Sequence, residues 1–245
     1  MLDLLAFDLD GTLADTESLK GQSYGWAAHE LDPSIDPADV EAAYVPYIGG
    51  GREEIAAGLL GHFGLAEAAR RHDASVEPWE SFVGLRLERY RGMLRDADLV
   101  RRHALPGALA VVEDARRLAR GVAVVTTTDR ANARPVLDAL GLGDAFDIVV
   151  TSDDVEAHKP DPCGYRLALD HLGADPAWSL AVEDSPTGAR AAVAARLQVL
   201  AVPSESTRDG LQALVRDGVL SPAAVVEPGA LAGAVRQRAE AASPA

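Results

Sequence analysis

A short, mostly apolar run of strand length, Leu2 to Phe7, ends abruptly in Asp8, Asp10 and Gly11. A buried strand that delivers two carboxylates to its C-terminal end and then turns at a glycine belongs in an open α/β sheet. Ligands there sit outside the carboxyl ends of the strands. Side chains alternate along a strand, so Asp8 and Asp10 start on one face and Leu9 points away. Two like charges that close cost free energy unless a cation or a shared proton relieves them. A hard divalent cation such as Mg²⁺, with its preference for oxygen ligands, is the simplest relief. Taken alone, the pair is equally well accounted for as the start of a surface turn, since Asp-Gly is a common turn former.

The rest of the chain divides by its periodicity. Residues 16–95 carry no strand pattern. Helices are expected over 17–30, with Thr16 as N-cap, and over 36–44, 53–63 and 78–95. The last of these is amphipathic, with Trp79, Phe82, Leu85, Leu87 and Tyr90 on its apolar positions. From Leu105 onward helix and strand alternate. A helix over 105–120, closed by Gly121, precedes a strand over 122–126. Helices at 130–140, 162–172 and 187–195 then alternate with strands at 146–150, 179–182 and 198–202. One further helix is expected beyond Glu205, ahead of an alanine-rich tail. Such alternation implies parallel pairing through right-handed crossovers, and the near-continuous apolar strands suit a sheet covered on both faces. The expected fold is α/β: a Rossmann-like parallel sheet core made from residues 1–15 and 96–245. An all-helical domain, residues 16–95, is inserted after the first strand.

Composition narrows the partners. With 48% hydrophobic and 25% charged residues, the chain fits an ordinary globular protein. No run approaches the ~18 apolar residues of a membrane span. The net charge of −15 disfavours nucleic acid or an anionic membrane as partner. An anionic substrate would then have to be drawn in by a local cluster of cation and basic side chains. Cys163 is the only cysteine, which rules out an intramolecular disulfide and fits a reducing cytoplasm. The direct entry into a strand, with Asp3 near its start, predicts no secretory leader. A monomer or weak homodimer is the expected assembly.

Three further sites stand at expected strand ends. Thr126-Thr127-Thr128 offers hydroxyls for phosphate oxygens, or merely β-formers closing a strand. In His158-Lys159-Pro160-Asp161-Pro162 the prolines stiffen a loop before a helix. Lys159 there is either a fixed cation for a phosphoryl group or a solvated loop lysine. Glu183-Asp184-Ser185-Pro186-Thr187-Gly188 is an acidic pair at a strand's end, or a helix N-cap.

In combination these sites say more. Phe7-Asp8-Leu9-Asp10-Gly11-Thr12-Leu13-Ala14-Asp15-Thr16 resembles the first motif of the haloacid dehalogenase (HAD) superfamily. The ordered set Asp8/Asp10, Thr126, Lys159 and Glu183/Asp184 resembles all four of its motifs. The resemblance spans residues 1 to about 202. The helical insert is similar to the cap of the subfamily containing β-phosphoglucomutase, phosphoglycolate phosphatase and xylulose bisphosphate phosphatase. The resemblance implies an Mg²⁺-dependent phosphatase of small phosphorylated metabolites, a sugar phosphate or bisphosphate, with a cap that closes over the core. It implies Asp8 as the nucleophile that forms an aspartyl-phosphate. It gives the metal ligands as Asp8, Asp10 through its backbone carbonyl, and Asp184, with Glu183 nearby or through water. The Asp10 side chain becomes general acid and then base. Thr126, with Thr127 beside it, and Lys159 hold the phosphate oxygens. Asp15 is read as a hinge or loop-organising residue. Metal-free dehalogenation is disfavoured, because dehalogenases of the family lack the second aspartate that stands here as Asp10.

Within the insert, Glu17, Lys20 and Arg52 are the candidate substrate contacts. Gly49-Gly50-Gly51-Arg52-Glu53 would set flexible backbone and a guanidinium at a helix start, suited to a second phosphate or a carboxylate, or else forms a plain inter-helix loop. Two alternatives accompany the phosphatase reading. One is a β-phosphoglucomutase-like phosphomutase, disfavoured because Lys20 stands where that enzyme has a histidine. The other is a catalytically silent binding protein of the same fold. A Schiff-base role for Lys20, as in phosphonoacetaldehyde hydrolases, is a further possibility of the resemblance.

Overall fold

In the computed structural model of the chain, residues 1–48 and 51–242 are described. β1 (Leu2–Phe7), β2 (Ala119–Val125), β3 (Ile148–Val150), β4 (Ser179–Glu183) and β5 (Gln198–Ala201) pair in parallel as one five-stranded sheet, in the order β3-β2-β1-β4-β5. The order reverses on either side of β1, which places a crevice at the carboxyl ends of β1 and β4. The expected α/β class with a parallel sheet is what the chain forms.

In chain order the helices are α1 (Thr16–Leu31), α2 (Pro37–Tyr44), α3 (Arg52–Phe63), α4 (Ala66–His72), α5 (Pro78–Leu94), α6 (Ala97–Arg102), α7 (Pro106–Leu118), α8 (Arg130–Ala139), α9 (Cys163–Leu172), α10 (Pro186–Ala194), α11 (Arg208–Arg216) and α12 (Leu231–Ala241). The chain divides into two compact units, one made of Met1–Asp15 with Val100–Ala245 and the other of Thr16–Leu99.

In the sheet unit, β1 is apolar apart from Asp3 because both of its faces are covered. Leu4 and Ala6 share a buried cluster with Ala123 and Val125 of β2, Ala181 of β4, Tyr165 and Leu169 of α9, and Ala189 and Ala192 of α10. α7 packs on β1 and β2, with α12 against α7 and β5. The expected helix over 105–120 stops two residues early, at Leu118, and β2 starts at Ala119. Gly121 therefore lies inside a strand, opposite Leu4, rather than at a helix end. A Cβ on Gly121 would sit 3.0 Å from Leu172 Cδ1, so the bare glycine lets α9 approach the sheet. The alanine-rich tail is likewise not featureless, since α12 buries Leu231, Val235 and Ala239.

In the helical unit, α1 packs on α2 and α5, and α5 also receives α3 and α4. Tyr24, Ala28, Val40, Tyr44, Leu59 and Phe82 form its core. Pro37 opens α2 with Asp36 as N-cap, and Pro78 opens α5 behind a reciprocal Glu77–Glu80 capping box. Thr16 is the first residue of α1 rather than its cap. Among the described residues, no helix is long and apolar enough to cross a membrane.

Candidate active site

Parallel pairing brings the strand ends into register. Asp8 N–H donates to Val182 O (3.0 Å), Thr126 N–H to Val150 O (2.9 Å) and Val202 N–H to Glu183 O (2.7 Å), so the ladder continues up to the polar residues. After Asp8 the backbone reverses around Leu9, whose carbonyl accepts from the amides of Leu13 (2.9 Å) and Ala14 (3.2 Å).

Lys159 sits at the centre of the charges. Its Nζ donates to Asp8 Oδ1 (2.6 Å), Glu183 Oε1 (2.7 Å) and Val125 O (2.7 Å), which uses all three ammonium protons. The Lys159 and Asp8 side chains are 8% and 9% exposed and that of Glu183 is 0%, so this lysine is no solvated loop residue. Burial pushes the Asp8 carboxyl up to about 7, with Glu183 and Asp10 adding to the rise and Lys159 opposing it. Burial alone would lower the Lys159 ammonium, but the carboxylates of Asp8 and Glu183 outweigh it and hold the proton firmly.

Asp8, Glu183 and Asp184, all buried, bring carboxylate oxygens within 4.8 Å of one another. One ammonium among three buried carboxylates leaves the site anionic, a donor set that fits a hard divalent metal. Two glycines make the room. A Cβ on Gly11 would lie 2.2 Å from Asp184 Oδ2, and one on Gly188 would lie 2.1 Å from the Glu183 carboxylate. Gly11 also holds φ at +83°, a left-handed conformation that favours glycine. Gly11→Ala is therefore expected to weaken divalent-metal binding at least about tenfold, as read by titration calorimetry, because Asp184 must move and the turn is strained. An unchanged isotherm would mean that Asp184 is no ligand.

The Asp10 side chain lies outside that acidic cluster. Its Oδ2 accepts the hydroxyls of Thr126 (3.0 Å) and Thr128 (2.7 Å). Thr126 is buried and its Oγ1 also accepts the Thr128 amide (3.1 Å). Thr127 is exposed. Thr128, not singled out as a binder from sequence, thus ties Asp10 to the β2 end. Nothing in the triple-threonine string separates its three members, since only the turn decides which hydroxyl faces inward.

In the helical unit Lys20 Nζ and the Tyr44 hydroxyl each hold one oxygen of Glu17, at 2.6 Å. Arg52 is exposed on the first turn of α3, while Gly49 and Gly50 lie outside the described residues. Arg86 of α5 is the residue that sequence reasoning passed over. It is 6% exposed, its guanidinium carbon lies 5.1 Å from the Tyr24 ring centroid and 4.6 Å from that of Tyr90, and its Nε has no hydrogen-bond partner. α5 carries three arginines, Arg86, Arg89 and Arg91, and nothing in the sequence marks Arg86 as the one whose position will be buried.

The family model for haloacid dehalogenase-like hydrolases matches residues 2–196. The protein CbbY of Rhodobacter capsulatus is 33% identical over 216 residues, covering 84% of this chain and 88% of that one. The phosphoglycolate phosphatase of Rhodospirillum rubrum is 32% identical, with 85% and 82% covered. A crystal structure of a CbbY mutant from Rhodobacter sphaeroides, in complex with xylulose-(1,5)bisphosphate, is 27% identical, has a TM-score of 0.62 and covers 85% of this chain and 89% of that one. The matched residues include Asp8, Thr126, Lys159, Glu183 and Asp184, and this chain belongs to the haloacid dehalogenase-like hydrolase family.

Proposed function

We propose that the chain is an Mg²⁺-dependent phosphatase that hydrolyses a small phosphorylated metabolite, of the sugar phosphate or bisphosphate class, through an aspartyl-phosphate on Asp8. The observation that carries this reading is the Lys159 ammonium held on Asp8 Oδ1 within a buried acidic cluster. Asp8 attacks phosphorus in line, the bond to the leaving oxygen breaks, and the Asp10 carboxyl gives that oxygen its proton. Asp10 then takes a proton from water, whose oxygen displaces Asp8 and releases phosphate. Thr126 and Thr128 orient Asp10 for both transfers, and Lys159 offsets charge on the phosphoryl oxygens. Asp8, Asp184 and the Asp10 carbonyl would hold Mg²⁺, with Glu183 close by. The bound ion supplies charge neutralisation between an anionic nucleophile and an anionic substrate.

Metal binding needs the ionised form of Asp8. Because burial raises that carboxyl to about 7, the apparent Mg²⁺ affinity is expected to be flat above pH 7 and to fall toward tenfold per unit below it. Calorimetry from pH 5.5 to 8.5 measures this, and a flat profile would remove Asp8 from the ligand set.

The substrate class rests on charge in the helical unit. A buried cation without a carboxylate partner is costly, and Arg86 has no ion pair among the described residues. With Lys20 and Arg52 it supports recognition of a second anionic group. Phosphoglycolate and xylulose bisphosphate, the ligands in the names of the relatives, each carry one. Arg86→Met is expected to raise KM for a doubly anionic substrate about tenfold or more and to leave that for a singly anionic one within about threefold. The test of the whole reading is phosphate release from a panel of phosphorylated metabolites with Mg²⁺, with EDTA, and with Asp8→Asn. Metal-dependent release lost in the variant supports it. Isomerisation of a hexose 1-phosphate without net release would replace it by a mutase.

A further inference from the structure

Tyr165 is a fully buried phenol that the reaction just described does not use. It lies on α9 within the core beneath the sheet, 0% exposed. Its hydroxyl donates to Glu183 Oε1 at 2.6 Å, the same oxygen that receives Lys159 Nζ at 2.7 Å. The Lys159 ammonium also stands 5.3 Å from the centroid of the Tyr165 ring. The other oxygen, Glu183 Oε2, has only long contacts, 3.3 Å from Asp184 N and 3.4 Å from Ser185 Oγ. Gly188 leaves the space that the carboxylate fills.

From this geometry we infer that Tyr165 is a positioning residue for Lys159, acting through Glu183 and resting on the phosphatase reading above. A carboxylate with one saturated and one loosely held oxygen can rotate about its last bond. The phenol fixes which oxygen faces the lysine, and so fixes the lysine on Asp8. Glu183 is thereby committed to Lys159, leaving Asp8 and Asp184 to face the cation. The Tyr165 hydroxyl bonds to neither of those two carboxylates, so its removal acts on the lysine and not on the metal.

Tyr165→Phe keeps the ring and removes the hydroxyl. With Mg²⁺ and the best substrate of the panel, kcat is expected to fall about ten- to thirtyfold, with KM within about threefold of wild type. Direct Mg²⁺ binding by calorimetry is expected to stay within about threefold. Adding Tyr165→Phe to Glu183→Gln is expected to cost no further activity, because the two residues act in series. The double variant also carries no unpaired buried carboxylate, so its comparison with Glu183→Gln stands even where Tyr165→Phe alone folds poorly. A kcat for Tyr165→Phe within twofold of wild type overturns the inference. So does a loss that multiplies with that of Glu183→Gln, or one that tracks a weakened Mg²⁺ isotherm. Inactivity of the wild-type protein on every phosphorylated compound would instead overturn the phosphatase reading.

Discussion

Asp8→Asn should abolish phosphate release, by about 10⁴-fold or more, while making the metal-free protein more stable above neutral pH. Both effects follow from one buried carboxyl. The amide is isosteric and its oxygen still accepts from Lys159, so the pocket keeps its shape but has no oxyanion to attack phosphorus. Burial holds the folded Asp8 proton up to about 7, whereas an unfolded aspartate loses it near about 3.9. Between those values the folded state binds more protons than the unfolded one, so wild-type stability falls as pH rises. The asparagine variant lacks that decline. At pH 8 and without metal it should therefore gain roughly 1–3 kcal/mol in urea denaturation, and at pH 4 nothing. Added Mg²⁺ should stabilise wild type and close the gap. Equal wild-type and variant stability at pH 8 would show that Asp8 is not strained by its surroundings, and retained turnover would take the nucleophile's role from it.

Removing the lysine should have the second largest effect, with the opposite sign in stability. Lys159→Met leaves Asp8 and Glu183 facing each other without their shared ammonium, and leaves the Val125 carbonyl without its donor. Breaking a buried pair from one side costs about 3–5 kcal/mol. Protonation of the orphaned carboxylates relieves part of this, so the loss should be full at pH 8 and smaller at pH 5. Urea denaturation at the two pH values reads it, and a loss independent of pH would mean that the carboxylates are not the strained groups. Turnover should fall about 10²–10³-fold, the scale of removing one electrostatic donor from a reacting centre.

The strand ends were legible because two elementary rules act over short distances. A polar residue that closes an apolar strand has to find polar partners where the strand ends. Parallel strands joined by right-handed crossovers deliver such residues to one edge. Asp8, Thr126, Glu183 and Asp184 close or directly follow a strand, whereas Lys159 comes from the loop between β3 and α9, and the sheet order around β1 gathers the strand ends at one crevice. Element boundaries were less legible where packing outweighed local propensity. Gly121 carries a helix-stop signal, yet pairing with Leu4 places it inside β2, where its missing side chain admits Leu172. The alanine-rich tail has weak amphipathic character, and α12 forms because α7 and β5 cover its apolar side.

The sequence by itself determined the α/β class and the helical insertion after β1, and it singled out the acidic and basic residues that the packed sheet brings together. Each of these is written in periodicity or in residues adjacent along the chain. Tertiary structure alone decided the division of labour among them: Lys159 bridging Asp8 and Glu183, Thr128 rather than Thr127 reaching Asp10, Tyr165 beneath Glu183, and Arg86 buried between two tyrosines. Hydrogen bonds and burial join residues far apart in the chain through side-chain directions that only the packed sheet and helices fix, and no local pattern encodes those.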